Sequence, residues 1–261
     1  MIPTAVRTEI EARLAEIERT ESVRILLAIE SGSRAWGFAS PDSDFDVRFI
    51  YARSPEWYLS IDMEDRRDVL EYGTTDEIDL NGWDIRKALR LFSASNPGFI
   101  EWMHSPIRYK EAGLFASQVM ELLPEVYVLE RGIYHYRSMA KSNHATFLRG
   151  AEVKLKKYLY VLRPLLCVRW IEQFREVAPM EFQRLLALLE DQPVLLQEIN
   201  ELVARKKASS EVGTIEAIPA IGGFIEKELA RLDGLTLKYA VQPTAMTRLN
   251  DLFRKTITAS N

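Results

Sequence analysis

The sequence contains very little cysteine and histidine, with one cysteine and three histidines among 261 residues. Because Cys167 has no second cysteine to pair with, an intrachain disulfide is excluded, and its place in an apolar run predicts an inert, buried thiol. The histidines do not have zinc-ligand spacing with one another or with Cys167. The sequence therefore does not predict a disulfide scaffold or a structural zinc site.

Long hydrophobic runs are also missing. The longest apolar stretches are interrupted by Arg163, Pro164 and Arg169, which leaves each too short for the roughly 20 residues of a membrane span. The N-terminus lacks the basic and then apolar pattern of a secretion signal. Apolar residues nevertheless make up 47% of the chain, enough for a real core. We predict a cytoplasmic globular protein without a membrane partner.

Positive charge is not in excess overall, since the net charge is −4. It is concentrated in residues 131–170, where nine basic residues stand against the single acidic Glu152, a net +8. Tyrosines lie among these basic residues, a pattern that suits contact with a nucleic-acid backbone and stacking on bases. The alternative is a solvated face of long side chains with the tyrosines in the core.

The first 110 residues alternate between helix and strand patterns. We predict a helix at 3–20, a buried strand at 23–29, a short helix at 34–38, a strand at 44–51, a short helix at 56–65, strands at 68–72 and 76–81, and a helix from 85 to about 92. The remainder is helix-patterned: one helix from about 152, which Pro164 is expected to kink or end, and others at 179–190, 193–206, 214–232 and 243–257. A weak boundary falls near residue 110.

The stretch from Ser31 to Arg48 carries the most chemistry. If Phe45 and Val47 face a core, strand alternation places Asp44 and Asp46 together on the other face, roughly 7 Å apart. Two carboxylates this close stay ionised mainly when a cation lies between them. The preceding Gly-Ser can begin a helix whose free N–H groups suit an anion. A cation site beside an anion site is what a metal-bound polyphosphate needs.

Other interpretations of these aspartates fit less well. An EF-hand loop requires Gly and Glu where Val47 and Arg53 stand. A phosphatase signature requires Thr or Val where Arg48 stands. A plain acidic turn built on Ser40 to Ser43 remains an alternative.

Several short motifs of this sequence resemble those of a known family. The chain contains Gly32-Ser33-Arg34-Ala35, Gly37 and Asp42-Ser43-Asp44-Phe45-Asp46. This arrangement resembles the signature of the DNA polymerase β-type nucleotidyltransferase superfamily. The RNA-repair polymerase-β family within it is similar to Gly82-Trp83-Asp84-Ile85-Arg86-Lys87, Ser95-Asn96-Pro97 and Glu101-Trp102. The resemblance extends from about Val23 to Trp170.

The resemblance implies transfer of a nucleoside monophosphate from a nucleoside triphosphate (NTP) to a hydroxyl, with two Mg²⁺ ions, or Mn²⁺, as cofactor. Asp44, Asp46 and a third carboxylate on a neighbouring strand would be the metal ligands and catalytic residues. Asp79 lies on the polar face of such a strand and is our choice, with Glu77 and Asp84 as competitors. Asp84 also stands where a helix N-cap is expected.

The resemblance further implies a site for the triphosphate. Gly32 and Ser33 would hold the β- and γ-phosphates, with Arg34 and Ser43 as additional candidates. On the helix from about 152, further candidates share one face and would reach the triphosphate or an RNA backbone: Lys154, Lys157 and Tyr158.

Together with the resemblance, the pattern predicts an α+β fold. An N-terminal nucleotidyltransferase domain at 1–110, a small mixed sheet flanked by helices, would precede an all-helical domain at 111–261 that carries the basic region 131–170. The acceptor would be an RNA end, as in RNA repair or tRNA modification. Alternatives are transfer of AMP to a protein, as in antitoxin-type relatives, a drug-modifying transferase, and an idle module that only binds nucleotide or RNA. The oligomeric state is not predicted.

Overall fold

A computed structural model gives the three-dimensional structure and describes residues 2–73, 76–148, 152–208, 214–238 and 243–259. The chain forms two compact units, each assembled from separate stretches of sequence. The first, here called the sheet unit, comprises Met1–Gly32, Asp44–Tyr127 and Val241–Asn261, and the second, the helical unit, comprises Ser33–Ser43 and Val128–Ala240. The boundary predicted near residue 110 lies inside the sheet unit.

The sheet unit is built on a five-stranded mixed sheet. Its strands are β1 (Arg24–Glu30), β2 (Phe45–Ala52), β3 (Val69–Tyr72), β4 (Ile78–Asp84) and β5 (Arg108–Glu111). Their spatial order is β3-β4-β2-β1-β5, and only β2 and β4 pair in parallel; the other neighbours are antiparallel.

Helices and short 3₁₀ segments cover this sheet and build the rest of the described chain. The helices of the sheet unit are α1 (Thr4–Glu21), α3 (Pro55–Tyr58), α4 (Ile85–Ser93), α5 (Pro97–Met103), α6 (Phe115–Val126) and α12 (Pro243–Thr258), with a 3₁₀ turn at Met63–Asp65. The short helix α2 (Gly32–Trp36) follows β1. The helical unit contains α7 (Leu129–Phe147), α8 (Leu155–Phe174), α9 (Phe182–Leu185), α10 (Pro193–Ala208) and α11 (Pro219–Asp233), a 3₁₀ turn at Leu186–Leu189 and strands β6 (Glu152–Lys154) and β7 (Thr214–Glu216).

Strand alternation explains how β2 divides the sheet into two faces. Phe45, Val47 and Phe49 are buried, whereas Asp46 and Arg48 between them are half-buried. The apolar side chains join a core with the buried stripe of α1, which consists of Ile10, Leu14 and Ile17. The polar side chains are thereby left on the opposite face, as the sequence predicted.

The core of the helical unit surrounds α8. Cys167 is fully buried there, in agreement with the prediction. Of the two outcomes predicted at Pro164, a kink or an end, the end does not occur, because the helix continues to Phe174. A proline lacks the N–H that would bond the carbonyl four residues earlier, which here is that of Tyr160. Asn143 Nδ2 donates a hydrogen bond to that carbonyl at 2.9 Å, which replaces the missing partner.

The α+β class is confirmed, with differences in detail. The helical unit is not all-helical, because β6 and β7 pair as a small antiparallel sheet. The helix predicted at 214–232 therefore begins only at Pro219. Short 3₁₀ turns interrupt two predicted helices, those at 56–65 and 179–190. None of the helices in the described ranges combines the length and the apolarity that crossing a membrane requires.

The close approach of β2 and β4 yields a stability prediction. A Cβ atom added at Gly82 would lie 2.1 Å from the ring of Phe49, its register partner. We expect Gly82→Ala to lower the free energy of unfolding by about 1–3 kcal/mol through overpacking. Gly222→Ala in α11 is the control, since its Cβ meets nothing within 4 Å and alanine should add about 0.5–1 kcal/mol there. Denaturant titration of both variants measures this, and an unchanged Gly82→Ala protein would contradict the packing.

Candidate active site

Asp46 and Asp79 lie side by side on the polar face of the sheet. Each is the second residue of its strand, and the parallel register of β2 and β4 pairs them directly. Because register partners point to the same face, their carboxylates are neighbours. Their side chains are 31% and 33% exposed, so both remain within reach of a ligand.

Arg48 joins these two carboxylates. Its Nη2 donates to Asp46 Oδ1 at 3.0 Å and to Asp79 Oδ2 at 2.7 Å. Its Nη1 donates to the backbone carbonyls of Val47 and Asp79, at 3.1 and 3.2 Å. The two carboxylates therefore converge on one positive charge. The sequence analysis used Arg48 only to exclude a phosphatase, although its i, i+2 spacing from Asp46 was a usable signal.

Gly32 lies against the carboxylate of Asp46. Its φ is +57°, a left-handed conformation that side chains rarely adopt. A Cβ atom here would stand 2.0 Å from Asp46 Oδ2, which leaves no room for any other residue. Ser31 N–H also donates to the Asp46 carbonyl at 2.8 Å. Gly32 and Asp46 are thus in close contact, and glycine is required at position 32 by both conformation and space.

Glu30 supports Asp46 from inside the sheet and was missed by the sequence analysis. Its side chain is fully buried, with Oε1 accepting the Asp46 backbone N–H at 3.0 Å and Oε2 accepting the Tyr109 hydroxyl at 2.5 Å. Ser105 Oγ donates to the Glu30 carbonyl at 2.6 Å. A buried carboxylate is tolerated only when hydrogen-bonded in this way. In the sequence, the clue to Glu30 was its place as an acidic residue at the end of the apolar run of β1.

The predicted phosphate-binding residues that follow Gly32 belong to the helical unit. Ser33 is buried, and its carbonyl accepts the N–H groups of Gly37 and Phe38. Arg34 donates from Nη2 to the carbonyl of Ser43. Ser43 is also buried, and its Oγ accepts the Ser40 N–H at 3.0 Å. Their roles in nucleotide binding stay predictions.

A lysine that the sequence analysis did not single out fixes the same segment. Lys206 in α10 is buried and donates from Nζ to Ser40 Oγ at 2.6 Å and to Ser43 Oγ at 3.3 Å. Aromatic contacts add to this anchoring within the helical unit, since Phe38 packs edge-to-face on Phe182 with ring centroids 5.6 Å apart. The segment Ser33–Ser43 is therefore anchored to α9 and α10 within the helical unit.

The three other carboxylates named by the sequence differ in position. Asp44 is exposed and lies one residue before β2, whereas the prediction began that strand at Asp44. Glu77 is exposed and precedes β4, and its carbonyl accepts the Phe45 N–H at 2.7 Å. Asp84 caps α4 as predicted, accepting the Arg86 N–H and the Tyr58 hydroxyl, both at 2.8 Å. Its burial raises the pKa of the Asp84 carboxyl, which the two hydrogen bonds partly offset.

The Asp46–Asp79 pair has the donor chemistry that a divalent cation requires, because two carboxylate oxygens already meet one cationic group. Among the described residues, however, no set of three His, Cys, Asp or Glu side chains is arranged to hold a metal ion. The predicted trio of Asp44, Asp46 and Asp79 is therefore not assembled as a three-carboxylate cluster.

Much of the predicted basic region is used inside the helical unit. Arg163 is buried over the Trp36 ring and donates to the Met180 carbonyl at 3.2 Å. Arg169 pairs with Glu228 at 2.9 Å. Other such contacts are those of Arg137 with the carbonyls of Leu232 and Leu235, and of Lys141 with Asp233. The +8 of the sequence therefore overstates the charge available to a partner; Arg149 lies outside the described residues.

Three residues were predicted to contact the triphosphate or an RNA backbone: Lys154 in β6, and Lys157 and Tyr158 in α8. They occupy different environments. Lys154 is exposed. Lys157 places its Nζ 3.6 Å from the ring centroid of Phe147, a cation–π contact. Tyr158 is buried, and its hydroxyl accepts the Ile218 N–H at 3.2 Å. Tyr158 therefore has a structural role in the core, and nucleotide contact by any of the three stays a prediction.

Comparison with known proteins identifies the family of this chain. Its sequence places it among polymerase β-type nucleotidyltransferases. More narrowly, it belongs to the RNA repair pathway DNA polymerase beta family, which matches residues 6–255. It is 44% identical over 245 residues to the "Uncharacterized protein YcgL" of Bacillus subtilis (strain 168), covering 94% of each chain. It is also similar, at 12% identity and a TM-score of 0.34, to a crystallised nucleotidyltransferase-like protein from Exiguobacterium sibiricum 255-15, covering 94% of this chain and 80% of that one.

The contact of Gly32 with Asp46 gives a prediction with a matched control. Gly32→Ala and Gly37→Ala both place a side chain at positive φ, which costs about 1–2 kcal/mol of stability each. Only Gly32→Ala also displaces the Asp46 carboxylate, since a Cβ at Gly37 meets nothing within 4 Å. We expect Gly32→Ala alone to weaken Mn²⁺ binding by roughly 10-fold or more, measured by electron paramagnetic resonance. Equal Mn²⁺ affinity in the two variants would contradict this.

Proposed function

We propose that this protein is a Mg²⁺-dependent nucleotidyltransferase that moves a nucleoside monophosphate from an NTP to a hydroxyl at an RNA end. Its membership of a polymerase β-type family described by its RNA repair pathway supports this. The observation that carries the proposal is the direct pairing of Asp46 with Asp79 beside the Gly32 bend. It combines a cation site with an adjacent bend of the kind that accommodates phosphates.

The proposed reaction is a displacement at the α-phosphorus. The acceptor oxygen forms a new bond to this phosphorus, the bond from it to the oxygen that bridges to the β-phosphate breaks, and pyrophosphate leaves with that electron pair. The hydroxyl proton passes to solvent or to a carboxylate. Mg²⁺, when held by these carboxylates, would supply positive charge to the phosphates and would lower the pKa of the acceptor hydroxyl.

The chain's own residues position this reaction. Asp46 and Asp79, which are register partners, would hold the metal, and Asp44, exposed just before β2, is proposed as a further ligand. Glu30 fixes the backbone N–H of Asp46, so that its carboxylate is preoriented. Gly32 provides the close backbone approach beside that carboxylate. Exposed Lys154 is the candidate for contact with an RNA phosphate.

The proposal is tested by incubating the purified protein with each α-labelled NTP, Mg²⁺ and either total RNA or cell lysate. We expect label to enter RNA, and to do so less efficiently as salt increases, because phosphate contacts release counterions. Label in a single protein band would instead identify an AMP-transferase that acts on a protein. Absence of transfer to any acceptor would refute the proposed activity and favour a binding module.

The identity of the third carboxylate gives a separate prediction. Asp46→Asn and Asp79→Asn, like Asp44→Ala, should each lower the transfer rate at least ~100-fold, because a charge that stabilises the transition state is lost. Asp84→Asn should retain most activity, since asparagine also caps helices well and Asp84 faces Arg86 and Tyr58.

Glu77→Gln is a second control, because that side chain is exposed ahead of β4. Initial rates of label transfer, compared for variants of equal thermal stability, measure the effect. Full activity in Asp79→Asn together with its loss in Asp84→Asn would reverse the assignment.

A further inference from the structure

Arg48 occupies the place at which the two carboxylates meet. Its guanidinium makes four hydrogen bonds, two to the carboxylate oxygens of Asp46 and Asp79 and two to the carbonyls of Val47 and Asp79. A polymerase β-type site with two metal ions would need cations at this same pair. Whether the Arg48 guanidinium keeps this position therefore decides how many metal ions the site can bind.

The geometry favours an Arg48 side chain that keeps its position between the two carboxylates. Arg48 extends from the interior of β2, and its side chain is only 19% exposed. Two of its four bonds go to backbone carbonyls, which cannot turn away as a side chain can. A guanidinium is not deprotonated in proteins, so it keeps its positive charge. Arg48 is thus a permanent cation of the site.

Arg48 uses one side of the pair. It contacts Asp46 through Oδ1, whereas Oδ2 is the atom that faces Gly32. Asp44 precedes the strand and is exposed. An ion carried by the triphosphate would then be held by Asp46 and Asp44. A second divalent ion between Asp46 and Asp79 would meet a fixed like charge.

We propose that Arg48 takes the place of one of the two divalent cations, so that the protein binds a single metal ion with each nucleotide. This inference rests on the proposed function and specifies its metal requirement. Arg48 then acts as a positioning residue for Asp46 and Asp79, whose charges it holds together. The expectation of two Mg²⁺ ions is replaced by one ion and one guanidinium.

The experiment counts bound ions instead of measuring turnover. Wild-type protein, saturated with a non-hydrolysable NTP analogue, is titrated with Mn²⁺, and bound ions are counted by electron paramagnetic resonance. We expect one bound Mn²⁺ per chain. In Arg48→Met, where the carboxylate pair loses its cation, we expect two. Arg48→Lys retains a charge and should bind one.

Arg53→Met is the matched control. Arg53 follows directly after β2, has a similarly low exposure of 15%, and donates to the Glu21 carbonyl at 2.8 Å, away from the carboxylate pair. The Arg53→Met protein should bind one ion, like the wild type. If Arg48→Met does not fold, two bound ions in the wild type or in Arg48→Lys would still overturn the inference.

The outcomes separate the two proposals. Two bound ions in the wild type would overturn the inference about Arg48 and leave the proposed transferase intact. One ion in a folded Arg48→Met protein would overturn it as well, because Arg48 would not then be what limits the count. Failure to bind the nucleotide analogue with Mn²⁺ at all would refute the proposed function itself.

Discussion

The parallel pairing of β2 with β4 is the constraint on which the candidate site depends. It places Asp46 directly beside Asp79, on neighbouring strands about 4.8 Å apart, so that their two negative charges repel each other. Arg48 offsets this repulsion by donating a hydrogen bond to each of the two carboxylates. The fold can keep two negative charges on neighbouring strands only because a positive charge accompanies them.

A second layer holds Asp46 in position from behind. Gly32 closes on its carboxylate, and Glu30 binds its backbone N–H. Glu30 is in turn held by Tyr109 on β5, so that the edge strand of the sheet is connected to the site by two hydrogen bonds. Each of these contacts joins residues of different elements, and each serves to fix one carboxylate. Such preorganisation is what a phosphoryl-transfer site requires.

The elements that the sequence predicted well are those governed by local patterns. The apolar stripe of α1, the alternation of β2 and the capping position of Asp84 depend on residues near one another in the chain, and the structure contains all three. Predictions failed where distant residues intervene. Asn143 satisfies the carbonyl that Pro164 leaves open, so α8 continues, and internal partners take up much of the charge of residues 131–170.

The sequence by itself determined the family and the α+β class and named Asp46 and Asp79 among the site candidates, because motif spacing and a period of two are local properties. Only the tertiary structure decided that the segment after Gly32 joins the helical unit, that Glu30 supports Asp46, and that Arg48 lies between the carboxylates. These features depend on the register between strands and on contacts across tens of residues. No periodicity in one stretch of chain encodes them.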